Sequence, residues 1–311
     1  MPGNNNVLVI GGGVGPAASV AFHKKIVDMT DNGRLGDQGH ASVVHISMSQ
    51  FIQDRTRYIN DPTGDHPGVA MGQMVSNTCR AHSGMEGMFV TGVPCNTFHS
   101  PAVFDGFKEV LGNSPVNVIN MIQSTAAYIK RSFAGKKIIL LSTRGTRDTL
   151  VYDTYFKKNP EADDPNFLKC NGRDPRNDDN LEYYLRNKYP DVEKIAEFKQ
   201  GAVMAAIYGK DLGIKSVTTD WKVNFLVFES VVEQIISEDG GPKEDYCVIM
   251  GCTEIPLAYG KAFERHDKTV LNEAAYIDPM DVLAANMINA AKFSVKDEFR
   301  KFLTPVLRSK L

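Results

Sequence analysis

Two of the five cysteines in this 311-residue chain close apolar runs of the same kind. Cys95 follows GMFVTGV (87–93) across Pro94, with Asn96 and Thr97 next. Cys252 follows YCVIM (246–250) across Gly251, with Thr253 and Glu254 next. Ligands of open parallel α/β sheets bind beyond the carboxyl ends of the strands, so both thiols stand where a site is built. The flanking amide and hydroxyl groups are of the kind that donates hydrogen bonds to a carboxylate. A helix opening just after each cysteine adds exposed N–H groups and partial positive charge. That environment is expected to draw a thiol from a pKa of about 8.5 toward neutrality. A matched pair of such groups suits one chemistry. Inverting a stereocentre that carries a proton takes a base on one face and an acid on the other, and two thiols titrating near working pH exchange those roles as the direction reverses. The carbanion formed beside a carboxylate then needs donors placed in advance, for which Asn96, Thr97 and Thr253 are candidates.

The other cysteines read as structural: Cys247 lies inside an apolar run, Cys79 in a helical stretch and Cys170 in a polar segment. No CxxC pair or zinc-ligand spacing occurs, so neither a metal nor a disulfide framework is expected. His99, four residues after Cys95, either lowers that thiol's pKa or simply completes the local packing.

The elements that must position these residues alternate along the chain. Apolar, mostly β-branched runs at 7–10, 42–47, 87–93, 116–119, 137–142 and 246–250 read as strands. Helical patterns fall at 67–83, 101–111, 192–208 and 221–237, with others opening at Pro16, after the N-cap candidate Asn120 and at Pro279. Strands alternating with helices make βαβ units, whose parallel sheets are buried on both faces. The order strand–loop, then strand–cysteine, occurs twice. VLVI-GGGVG (7–15) pairs with IILL-STRGT (138–146), and the Cys95 run pairs with the Cys252 run. The fold class is therefore α/β: two pseudo-symmetric α/β domains, each a mainly parallel sheet flanked by helices, with the active site in the cleft between them and the two thiols facing each other. The first domain is placed at 1–118 plus 280–311 and the second at 119–279. The Asp-, Asn- and Pro-rich segment 157–191 reads as a solvated surface insertion or, less simply, a lid.

Composition bounds the partners. Hydrophobic residues make up 42% and charged residues 23%, and 35 basic against 37 acidic side chains leave a net charge of −2. Without a basic stripe there is no footprint for nucleic acid or an anionic membrane, and a small-molecule ligand is the expectation. No signal sequence or spanning segment is evident, so a soluble cytoplasmic protein is expected.

The motifs VPCNTFH (93–99) and GCTEIPL (251–257) closely resemble the two signatures of the aspartate/glutamate racemase superfamily, its aspartate racemase branch above all. IGGGVGPAAS (10–19), QDRT (53–56), LLSTRGT (140–146) and IYGKDLGIKSV (207–217) are similar to further segments of that family, so the resemblance runs along most of the chain. It implies an amino-acid racemase independent of pyridoxal phosphate, with no cofactor, a homodimer whose C-terminal helix returns to the first domain. Carried over by residue, Cys95 and Cys252 are the acid/base pair. Asn96, Thr97, Thr143, Thr253 and Glu254 line the substrate's amino and α-carboxylate groups, and Arg55 and Lys215 are the cations for its carboxylates. Gln53 stands where the family usually has proline, the first loop carries an extra glycine, and the segment before Lys215 is one residue longer, which leaves the side-chain specificity open.

Three other readings compete. A dinucleotide enzyme would use GGGVG, but the third fingerprint glycine falls on Pro16 and the second strand ends without an acidic residue. A same-fold isomerase, hydantoin racemase or decarboxylase keeps the architecture and changes the reaction. A non-catalytic amino-acid-binding relative keeps the fold and loses the chemistry.

Overall fold

The computed structural model describes residues 4–84, 86–112, 114–171, 181–183, 185, 192–264 and 274–305. The chain divides into two compact units, Met1–Ser132 with Pro279–Leu311 and, between them, Phe133–Asp278.

The first unit is a four-stranded parallel sheet in the order β2-β1-β3-β4, with β1 at Val7–Gly11, β2 at Ser42–Ile46, β3 at Phe89–Gly92 and β4 at Val116–Val118. Its two central strands, β1 and β3, are buried at every residue, the consequence of apolar runs covered on both faces. The helices of its N-terminal stretch are α1 (Pro16–Met29), α2 (Arg55–Asn60), α3 (Pro67–Ala81), α4 (Pro101–Leu111) and α5 (Met121–Ser132). Proline opens α1, α3 and α4, where its fixed φ suits the first turn and its missing N–H costs nothing. The residues Phe98, Val103, Phe107 and Leu111 pack with Met71 and Val75 of α3 into one core.

The second unit repeats the plan. Its strands are β5 (Lys137–Ser142), β6 (Phe167–Lys169), β7 (Tyr246–Gly251) and β8 (Ala275–Ile277), all parallel, in the order β6-β5-β7-β8. Its helices are α6 (Arg144–Asp148), α7 (Asp153–Phe156), α8 (Val192–Glu197), α9 (Lys199–Tyr208), α10 (Trp221–Asp239) and α11 (Ile255–Glu264). Asp220 caps α10, its carboxylate accepting from the N–H groups of Lys222 and Val223, and Gly240 ends the helix in the left-handed region at φ 77°. The core joins β5 and β7 to α9, α10 and α11.

The chain then returns to the first unit as α12 (Pro279–Ala290), which packs on α1, α5 and β3. The approach to β3 is close enough that a side chain on Gly92 would meet Leu283 and Met287, with a Cβ only 2.9 and 2.6 Å from them.

In both sheets the chain leaves the first strand for one neighbour and reaches the third on the other side. The loops after β1 and β3, and after β5 and β7, therefore part at a topological switch point, the place where such sheets take ligands. Thr143 follows β5, Cys95 follows β3 and Cys252 follows β7.

Some expectations are refined. The helical pattern 192–208 is two helices broken at Phe198. Because α5 packs on α12, residues 119–132 fall with the first unit. The segment 157–191 is not wholly a solvated excursion: it supplies the edge strand β6, and Phe167, Cys170, Leu181 and Leu185 in it are buried. The rest of that segment, 172–180, 184 and 186–191, lies outside the described residues. Among the described residues no helix is long and apolar enough to cross a membrane.

Candidate active site

Cys95 sits three residues beyond β3 with 7% of its surface exposed. Its N–H donates to the Val93 carbonyl at 2.9 Å, a tight bend that turns the chain off the strand. Asn96 opens the short 3-10 turn Thr97–His99, and both Asn96 and Thr97 are buried beside the thiol-bearing residue. His99 fixes this loop from below. Its Nδ1 lies 2.9 Å from the Cys95 carbonyl and its Nε2 3.3 Å from the backbone nitrogen of Met121 at the start of α5. A carbonyl only accepts and an N–H only donates, so the ring is the neutral tautomer with its proton on Nδ1. Burial, only partly opposed by the Cys95 contact, holds its pKa down at about 4. Phe104 stacks on the imidazole with centroids 4.8 Å apart. His99 therefore positions the Cys95 loop. It supplies no cation to the thiol, which decides between the two roles open for it.

Arg55 is the first residue of α2, behind the N-cap Asp54, and is only 8% exposed. Its Nη2 donates to the Val14 carbonyl at 2.6 Å and its Nη1 to the Gln53 carbonyl at 3.4 Å. The guanidinium thus ties the glycine-bearing loop after β1 to the loop after β2, at the same carboxyl edge of the sheet as Cys95.

In the second unit four of the expected residues converge with one unexpected partner. The Cys252 thiol, also 7% exposed, donates to Glu254 Oε2 at 3.1 Å. The Thr253 hydroxyl donates to the same oxygen at 3.4 Å. Lys215 Nζ lies 3.4 Å from Glu254 Oε1, 3.3 Å from the Tyr208 hydroxyl and 4.3 Å from the centre of the Tyr208 ring. Burial first and the Glu254 charge second push the Cys252 pKa well above the ordinary thiol value, against the pull of Lys215 and of the Glu254 N–H. The expected lowering by a following helix is thus overturned here. Desolvating a thiolate in a closed strand-end pocket outweighs a partial charge one turn away. Cys252 rests protonated, with a carboxylate as its acceptor.

Thr143 caps α6, its hydroxyl oxygen accepting from the Thr146 N–H at 3.4 Å. It follows Ser142, whose strand partner is Gly251, so the loops carrying Thr143 and Cys252 start side by side. One face of α9 lines this edge and was not singled out from the sequence. Gln200 donates from Nε2 to the Ser142 carbonyl at 3.0 Å, Met204 Sδ accepts from the Arg144 N–H at 3.3 Å, and Tyr208 carries Lys215. Their spacing of four residues was the available signal, meaningful only once the helix was known to lie over β5. Among the described residues no cluster of His, Cys, Asp or Glu is arranged to hold a metal ion.

Residues 12–164, close to half of the chain, match the family model described as Asp/Glu/Hydantoin racemase. Among solved structures the chain is similar to the Picrophilus torridus aspartate racemase, at 23% identity over 96% of this chain and 98% of that one, with a TM-score of 0.60. An aspartate racemase homologue from Pyrococcus horikoshii OT3 shares 18% identity over 93% and 99%, with a TM-score of 0.52. No curated protein matches the chain significantly in sequence. At these identities the solved structures speak for the fold, two α/β domains built on parallel sheets. The family match, over residues 12–164, likens the first half of the chain to the Asp/Glu/hydantoin racemases.

Proposed function

We propose that the chain is a cofactor-independent amino-acid racemase that interconverts the L and D forms of an acidic amino acid, aspartate before glutamate, by proton transfer between Cys95, Cys252 and Cα. One observation carries this reading: the two thiols leave the third strand of each of two sheets that share one strand order, so each sits at its own unit's switch point. In the reaction they act on opposite faces of one substrate.

Cys252 waits as a thiol held by Glu254, which suits it to deliver a proton to Cα. In each turnover one sulfur removes the Cα proton and the other delivers its own to the opposite face. After one turnover the proton inventory is reversed and the opposite enantiomer is the competent substrate. Thr97, Asn96, Thr143 and Thr253 supply donors to the amino acid's head group, while Arg55 and Lys215 balance its carboxylates, which favours an acidic amino acid over an uncharged hydantoin ring.

The test is exchange of the Cα proton of L- and D-aspartate in deuterium oxide, followed by NMR without added cofactor. Cys95→Ala and Cys252→Ala should each slow racemisation by about 10²- to 10⁴-fold, the usual worth of a positioned acid or base. Near-normal turnover in both variants would sink the two-thiol reading. Wild-type binding of aspartate without any exchange would instead support a non-catalytic relative.

A further inference from the structure

The segment 157–191 holds a residue whose partners lie far along the chain. Glu182 sits between the buried Leu181 and Leu185, which enter the same core as Leu212 and Ile214. Its carboxylate reaches the turn that follows α9. Oε1 accepts from the N–H of Asp211 at 2.7 Å and from that of Leu212, and Oε2 accepts from the N–H of Lys210 at 3.1 Å. Three consecutive backbone N–H groups converging on one anion form a nest, a strong receptor for a carboxylate. Gly209 makes room for it, since a Cβ there would stand 2.6 Å from Glu182 Oε1 and 2.5 Å from the Ala205 carbonyl.

What this turn presents is Lys215. Beyond the nest the backbone doubles back, the N–H groups of Ile214 and Lys215 donating to the carbonyls of Ala206 and Ile207 at 2.9 and 3.2 Å. Ser216 and Thr218 close the loop through the carbonyls of Lys210 and Asp211. The Glu182 carboxylate thus anchors the backbone of this loop from outside residues 205–219. We infer that Glu182 is a positioning residue: the 157–191 segment latches the loop that holds Lys215 against Glu254, and so sets the state of the Cys252 thiol from outside the site. For its kinetic consequence the inference rests on the racemase reading, but its structural consequence does not.

The experiment separates the two. Amide hydrogen exchange of the intact chain, read by mass spectrometry, is compared for the wild type, Glu182→Ala and Glu182→Gln. The latch requires faster exchange at 209–216 in both variants, more in Glu182→Ala, because Gln keeps one acceptor oxygen and turns a donor toward an N–H. Alkylation of Cys252 by iodoacetamide is then followed against pH, with Lys215→Met as the reference. Loss of the cation should slow alkylation at pH 8 by about threefold to tenfold, a pKa unit being worth tenfold in thiolate. Glu182→Ala should move the profile the same way, and the double variant no further than Lys215→Met alone, because the two act through one path. Unchanged exchange at 209–216 in Glu182→Ala overturns the latch, and additive effects in the double variant overturn its action through Lys215. If the profiles couple while aspartate shows no Cα exchange, the latch stands and the racemase reading falls. If Glu182→Ala does not fold, Glu182→Gln carries both measurements.

Discussion

At the scale of single residues, the resting site in the second unit is a chain of partners, thiol to carboxylate to ammonium to phenol. Glu254 has two effects on Cys252: its charge and its hydrogen bond both keep the proton on sulfur. Replacing it by glutamine removes the charge and leaves Lys215 in place. The thiol should then ionise at lower pH, and alkylation of Cys252 at pH 7.5 should speed up by about tenfold for each unit by which the pKa falls. On the proposed two-thiol reaction, racemisation should fall all the same, because an acid that has lost its proton cannot deliver one. An unchanged alkylation rate in Glu254→Gln would show that burial alone sets the thiol. The strand-end positions of the two cysteines and their polar neighbours were legible in the sequence because the apolar runs before them are strong. The direction of the Cys252 shift was not, because desolvation depends on what folds over the sulfur, and Glu254 was read as a substrate group rather than as the thiol's own acceptor. Tyr208 and Gln200 were missed for a related reason: polar residues on a helix face have no meaning until the face has a neighbour.

At the scale of elements, His99 ties the Cys95 bend to the first turn of α5 through two opposite bonds of one neutral ring. A histidine held at a pKa of about 4 when folded, against 6.5 when free, favours folding most where the unfolded chain has no extra proton to bind. Its contribution is therefore complete above pH 6.5 and is lost as the pH falls toward 4, by roughly 3 kcal/mol in all. Urea titrations at pH 7 and pH 4.5 should show a steeper loss for the wild type than for His99→Asn, which keeps a donor for the Cys95 carbonyl but cannot titrate. Equal losses would mean that the clamp does not hold the ring neutral. The long strands and helices were legible as elements because their apolar periods are strong. The three-residue strand β6 was not. Its Phe167 and Leu168 are embedded in a charged stretch, and pairing with β5 decides a strand that short. The break at Phe198 was equally silent, since helical patterning continues across it.

At the scale of the whole molecule, the two sheets share an order, and the second unit is one continuous piece of chain with its own core. A fragment of residues 133–278 should therefore fold alone, with a cooperative urea transition and the raised Cys252 titration of the full chain. A fragment without a cooperative transition would show that the unit borrows its stability. The duplication was legible from two pairs of short motifs, because topology repeats even where residues do not.

The return of α12 to β3 has a consequence for the living chain. During synthesis the second unit is complete once Asp278 has left the ribosome, but the first still lacks the helix that covers β3. Translation adds about 5–20 residues per second, so the earlier-made half waits with an apolar sheet face bare while the later-made half is already able to close. The helix α12 arrives after both sheets, and a premature stop before it would leave the earlier-made unit unfinished and prone to aggregate.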